Sequence, residues 1–276
     1  MRTPTTTPDA TAAPAGWEAP TGPLWILRDA ATEAERHLRI VPRNIELLIF
    51  AAVQPVMFLL LFRYVFGGSI SVPGFDSYTQ FLVPGVMAQT VLFGSAFTGI
   101  GLAEDMHKGL VERLRSLPMS RSAVLLGRTL SDLVRNLFSF ATMLVAAFAV
   151  GFRFEGSLLD ALVASAVLLG FSYAFSWIQA LIGLSLSSVE AVNSAGFIWM
   201  FPLTFVSSAF VDPATMPGPL RAFADHNPFT VATDACRALY NGADPGGDLW
   251  QAIAWIVGIT IVFAAASIRR FTRAVR

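Results

Sequence analysis

Hydrophobic positions along this chain fall mainly into long uncharged blocks. Ser77 to Ala103, Ala161 to Val189, Ala191 to Val211 and Leu249 to Ile268 contain no charged residue. Each runs for about 20 residues or more, the length of helix that crosses a hydrocarbon core of about 30 Å. Two shorter blocks join them. Leu47 to Phe62 is flanked by Glu46 and Arg63, whose long side chains can snorkel to the interface. Asn136 to Phe152 extends backward through Leu125, Leu126, Leu130, Leu133 and Val134, taking in Arg128, Asp132 and Arg135. The pattern therefore predicts an all-α membrane protein with six spans over residues 44–268.

A different periodicity precedes the first block. Leu24, Leu27, Ala31, Ala34, Leu38 and Val41 recur at three- and four-residue steps while Arg28, Glu35 and Arg39 fall elsewhere, which predicts an amphipathic helix over 24–43 closed by Pro42. It is too charged to span, so it reads as lying in the membrane interface or as packed on a partner. Residues 1–23, rich in Thr, Pro and Ala, read as a disordered cytoplasmic tail without the layout of a signal peptide.

Composition sharpens this picture. The chain has 276 residues, 54% of them apolar and 14% charged, and a mean hydropathy of +0.60. A soluble domain carries about 25% charged residues, so a soluble enzyme is excluded. The 19 cations balance 19 acidic residues, which leaves no footprint for nucleic acid. Their distribution is informative, because only Arg63, Arg153, Arg221 and Arg237 fall on one side of the predicted topology. The other fifteen lie in the opposite segments, including the basic tail 269–276, so both termini are expected in the cytoplasm of a cell-membrane protein.

The chemistry of common catalytic sites is missing from the sequence. A phosphate-binding loop ends in Gly-Lys-Ser or Gly-Lys-Thr, and the sole lysine, Lys108, stands between His107 and Gly109. His37, His107 and His226 are far apart, and no metal-binding pair is formed. Cys236 is the one cysteine. An ion-coupled transporter would show an ionisable relay near mid-membrane. Asp132 is the nearest candidate, but Arg128 and Arg135 sit one turn to either side, and a salt-bridged cluster at the cytoplasmic end of the third span is the simpler expectation.

One loop stands out. Between spans two and three, residues 104–121 place Leu110, Val111, Leu114 and Leu117 among Glu112, Arg113 and Arg115 before Pro118. Such a short helix suits docking into a groove on another protein, or else forms a solvated turn. Across the membrane, 212–248 combines several prolines with Ala222, Phe223, Phe229, Val231 and Leu239, which fits short helices dipping into the outer leaflet. Asp234 and Arg237, three apart, are positioned to pair.

The run Glu112-Arg113-Leu114-Arg115-Ser116-Leu117-Pro118-Met119-Ser120-Arg121 with Leu126-Gly127-Arg128 resembles the loop of ABC-2 type permeases of the daunorubicin-resistance branch. Phe201-Pro202-Leu203-Thr204-Phe205, Ser207-Ser208-Ala209-Phe210, Met216-Pro217, Asn227-Pro228 and Asp234-Ala235-Cys236-Arg237 extend the resemblance, although Pro219 stands where the family pattern has tryptophan. The resemblance implies a half-transporter of the type V exporter kind, with an interfacial helix, six spans and short outer hairpin helices before the sixth. It also implies that Leu110, Glu112, Arg113, Leu114, Arg115, Leu117 and Pro118 form a coupling helix seated on a separate ATPase subunit, which binds the ATP and Mg. The partners it implies are that ATPase, a second permease subunit as homodimer or paralogue, and membrane lipids. Spans two and five would face the transport path, making Met87, Phe93, Phe97, Phe197, Met200, Phe201 and Phe205 candidate path residues, which otherwise read as ordinary lipid-facing side chains. The expected cargo is an amphipathic drug or lipid-like molecule moved outward, the alternative being a cell-envelope lipid, glycolipid or polysaccharide.

Overall fold

A computed structural model describes residues 45–67, 74, 75, 77–109 and 121–274. The interfacial helix expected over 24–43, the tail before it and the loop residues Leu110 to Pro118 lie outside the described residues. The described residues are helical, with no strand.

In chain order the long helices are α1 (Ile45–Leu61), α2 (Tyr78–His107), α3 (Arg121–Ala149), α4 (Leu158–Gly183) and α5 (Val189–Phe205). Two short helices follow, α6 (Gly218–His226) and α7 (Pro228–Tyr240), and then α8 (Gly246–Ala274). Helices α2, α3, α4 and α8 are long and apolar enough to cross a membrane. Helices α1 and α5 have 17 residues each, about 25 Å at 1.5 Å per residue. α1 continues into a π-helical turn, Phe62–Phe66.

The bundle is organised around α2. It is apolar all round, and most of its residues, from Thr79 to Ala103, are buried, the signature of a helix enclosed by others. Helices α1, α3, α4, α5 and α7 surround it, while α8 packs on α4 and turns Trp250, Ile261 and Val262 outward. Where α2 meets α4 the backbones touch. A Cβ on Gly99 would stand 2.6 Å from the carbonyl oxygen of Gln179, and one on Gly183 would meet the carbonyl of Gly99. Glycine is required on both sides of this crossing.

The boundaries depart from the charge-free blocks in three places. α4 starts at Leu158, ahead of Ala161, because Ser157 and Asp160 form a capping box in which each side chain meets the other's backbone N–H. A window that forbids charge cuts off this acidic first turn. α8 runs on through Arg269, Arg270 and Arg273, so most of the basic tail is its last turns. The block expected to be helical to Val211 ends as α5 at Phe205, three residues after Pro202 and just before the non-helical Val206.

Protein groups compensate much of that last break. Asn227 donates from Nδ2 to the carbonyls of Leu203 and Val206, at 2.7 and 2.8 Å. Ser208 N–H reaches Thr230 Oγ1, and Tyr78 Oη donates to the Phe210 carbonyl. Irregular backbone inside a bundle survives only where protein groups satisfy it in this way. α7 fills the space so created. Its Phe229 packs on Phe171, about 20 Å along α4 from Leu158, and at its other end Tyr240 pairs with Ser165 at 3.1 Å. Pro219 sits in the first turn of α6, where the missing N–H has no intrahelical partner to lose.

Candidate functional site

Among the described residues, polar side chains gather in three constellations that bear on function. The first is a chain of charges between α2 and α3. Arg128 meets Asp105 at 2.8 Å and Asp132 at 3.3 Å, and Asp132 meets Arg135 at 3.1 Å. The sequence reading groups Arg128, Asp132 and Arg135, and the structure brings all three together. It adds Asp105, whose pairing has no signal in the spacing along the chain, since the contact crosses from one helix to the next. Two anions and two cations make the chain formally neutral, as burial demands. Arg135 ends it, lying over the Phe97 ring at 4.7 Å and donating to the Gly94 carbonyl at 3.4 Å.

The second is a cavity of about 160 Å³ between α1, α2, α3 and α5. Its walls include Phe93, Phe97 and Phe197 with Gln54, Gln89, Arg135, Asn136 and Asn193. Phe93 lies 5.7 Å from Phe197 and 5.4 Å from Phe201, and the rings continue through Phe205 to Phe210. Five of the seven candidate path residues thus belong to one aromatic surface, with Phe201 and Phe205 about two-fifths exposed. Met87 and Met200 do not. Both are fully buried in the core, where Met200 Sδ accepts from Gln179 Nε2 at 2.9 Å, so on their own chain they are packing residues. Gln89, Asn136 and Asn193 were missed. Their only signal is an amide inside an apolar window.

The third lies in the segment 212–248 expected on the outer side. Buried Arg237 donates from Nε to the Phe81 carbonyl at 3.0 Å and from Nη2 to the Ser208 carbonyl at 2.7 Å, and pairs with Asp234. Its guanidinium stacks 3.9 Å from the centre of the Phe81 ring, and Ser208 Oγ donates to Asp234 Oδ1 at 2.7 Å. One side chain thereby ties α7 to α2 and to the segment after α5. The neighbouring Cys236 is buried against the Ala164 carbonyl, and burial pushes its thiol well above the ordinary range.

Of the coupling residues, only the approach is described. α2 ends at His107, Lys108 pairs with Glu104 at 3.1 Å, and Gly109 turns the chain with a φ of 80°.

Several apolar helices, a neutralised charge chain between two of them and a cavity walled by aromatic rings and amides define a multi-pass membrane protein. The family model for ABC-2 type transporters matches residues 32–241. The chain belongs to the ABC-2 type transporter family. It is 37% identical over 224 residues to the daunorubicin resistance ABC transporter permease protein DrrB1 of Streptomyces coeruleorubidus, covering 81% of this chain and 79% of that one. It is 27% identical over 217 residues to the probable doxorubicin resistance ABC transporter permease protein DrrC of Mycobacterium tuberculosis, covering 79% and 78%. A more distant relative, the putative transport permease ycf38 of Porphyra purpurea, is 22% identical over 225 residues, covering 79% and 76%.

Proposed function

We propose that this chain is the membrane subunit of an ATP-driven exporter that moves amphipathic drug-like molecules outward, with ATP and Mg held by a separate ATPase subunit. The observation that carries the reading is the 37% identity, over most of both chains, to a permease named for daunorubicin resistance. A second relative named for doxorubicin resistance favours drugs over envelope polymers as cargo. The sole lysine of the sequence lies outside any phosphate-binding loop, which supports assigning hydrolysis to another chain.

In this reading the chain spans the cell membrane six times with both termini in the cytoplasm, residues 24–43 lie in the inner interface, and α1 with its π turn and α5 with the segment after it complete the shorter spans. Leu110 to Pro118 form the coupling helix. Leu114 and Leu117 anchor it in a groove of the ATPase, and Glu112, Arg113 and Arg115 make its polar contacts. Two permeases, identical or related, enclose the path. Closure of the ATPase pair around ATP pushes the coupling helices and turns the path from inward to outward access.

Co-purification with the ATPase encoded beside this chain tests the assignment. A stable complex is expected, with ATP hydrolysis only when the ATPase is present. The double variant Leu114→Asp with Leu117→Asp is expected to lose at least about 90% of complex and transport, since two carboxylates cannot be desolvated in an apolar groove. Intact complex and transport in that variant would refute the coupling assignment. Transport that survives ATP depletion and collapses with the proton gradient would refute ATP coupling itself.

A further inference from the structure

The cavity between α1, α2, α3 and α5 contains a side chain that the packing of the bundle leaves unexplained. Gln89 is 2% exposed, lines the cavity, and neither its Oε1 nor its Nε2 has a hydrogen-bond partner among the described residues. A buried amide without partners is costly, and a leucine of similar volume would fill the same place without that cost. Around it stand the rings of Phe58, Phe93, Phe97 and Phe197. Among the described residues Arg135 is the only charged side chain in the wall, held at the end of its ion-paired chain with its guanidinium over Phe97.

Size limits the occupant. At about 160 Å³ the cavity compares with sites of about 150 Å³ that take a benzene ring, and falls below the roughly 300–1,000 Å³ that engulfs a drug-sized molecule. Only one end of a larger amphiphile fits. The exposed Gln54 and Asn193 lie at its mouth, and the ring row of Phe197, Phe201 and Phe205 leads away along α5.

We propose that this cavity is an anchoring subsite for an aromatic ring bearing an oxygen acceptor, a carboxylate or ring carbonyl, which Gln89 and Arg135 engage while the phenylalanines enclose the ring. Arg135 keeps Asp132 as counter-ion, but its guanidinium carries only donors, so a carboxylate finds a partner in it and an ammonium finds none, and the subsite discriminates against amine-tipped rings. The remainder of the ligand lies outside the cavity along α5. The inference deepens the export reading by naming the group first recognised, but binding here requires no ATPase.

The test uses the full chain in phosphatidylcholine nanodiscs and equilibrium binding of tritiated 2-naphthoic acid and 2-naphthylmethylamine. The acid is expected to bind at least about tenfold more tightly than the amine, the effect of one charge-assisted hydrogen bond. Gln89→Leu is expected to weaken the acid at least about fivefold, leave the amine unchanged and melt no lower than the parent; Gln89→Met replaces it if leucine does not fold. Equal affinities, or undiminished acid binding in the glutamine variants, would overturn the proposal. So would displacement of the acid by phosphatidylglycerol added to the same discs, which would make the site a lipid headgroup site. Failure of the ATPase complex with acid binding intact would sink the export reading and leave the subsite standing.

Discussion

The outer and inner arginine clusters solve the same problem in different ways. Arg237 is held chiefly by backbone: two carbonyls, on α2 and after α5, fix its guanidinium, with Asp234 as counter-ion. Backbone oxygens cannot swing away, so this contact behaves as a fixed joint. Arg128 and Arg135 are held mainly by carboxylates on flexible side chains of two helices, and Asp132 serves both. Those pairs can be exchanged without moving a helix. A transporter needs one region that keeps its shape and another that can rearrange, and the outer joint and inner chain have the properties for these two parts.

Substitutions can break that contrast, beginning with the largest expected effect. Arg237→Ala strands Asp234 and two buried carbonyls and should cost about 3–5 kcal/mol, read as loss of the folded protein in thermal or denaturant unfolding. Arg237→Lys should recover less than half, since an ammonium cannot span the same oxygens. If lysine restores full stability, the joint is a simple charge pair. Asp132→Ala removes the counter-ion shared by two cations and should cost about 2–3 kcal/mol by the same measurement, less than the outer variant because Arg128 keeps Asp105. Asp105→Asn should cost about 1 kcal/mol. A reversed order, with Asp105 costing more than Asp132, would mean that the inner chain is anchored at its Asp105 end. Lys108→Ala, at an exposed pair, should change stability by no more than about 0.5 kcal/mol.

The sequence made the helix inventory legible because charge-free length is a direct consequence of crossing hydrocarbon. It misplaced ends wherever a polar residue served as a cap. Asp160 reads as an interruption but starts α4, and the break after Phe205 is stabilised by Asn227, 21 residues on from Val206. The inner cluster was visible as one-turn spacing along α3, whereas Asp105 on α2 was not. The Asp234–Arg237 pair follows from spacing, but the carbonyls of Phe81 and Ser208 carry no sequence label. Met87 and Met200 are buried in the core of their own chain, a placement that composition does not reveal, since soft apolar residues look alike in a core and on a path.

The glycine crossing of α2 and α4 also has a mechanical meaning. Gly99 stands 8 residues from His107 and 21 from Tyr78 along α2, about 12 and 31 Å of helix. Two surfaces without side chains form a fulcrum, not a set of teeth. Tilting α2 about that point multiplies a displacement of its His107 end roughly two and a half times at the other end, in the opposite direction. A push of about 1 Å where α2 leads into the loop would shift a free Tyr78 end by about 2.5 Å, so the fixed Arg237 joint, which ties that end to α7, is where the tilt is resisted and its load carried.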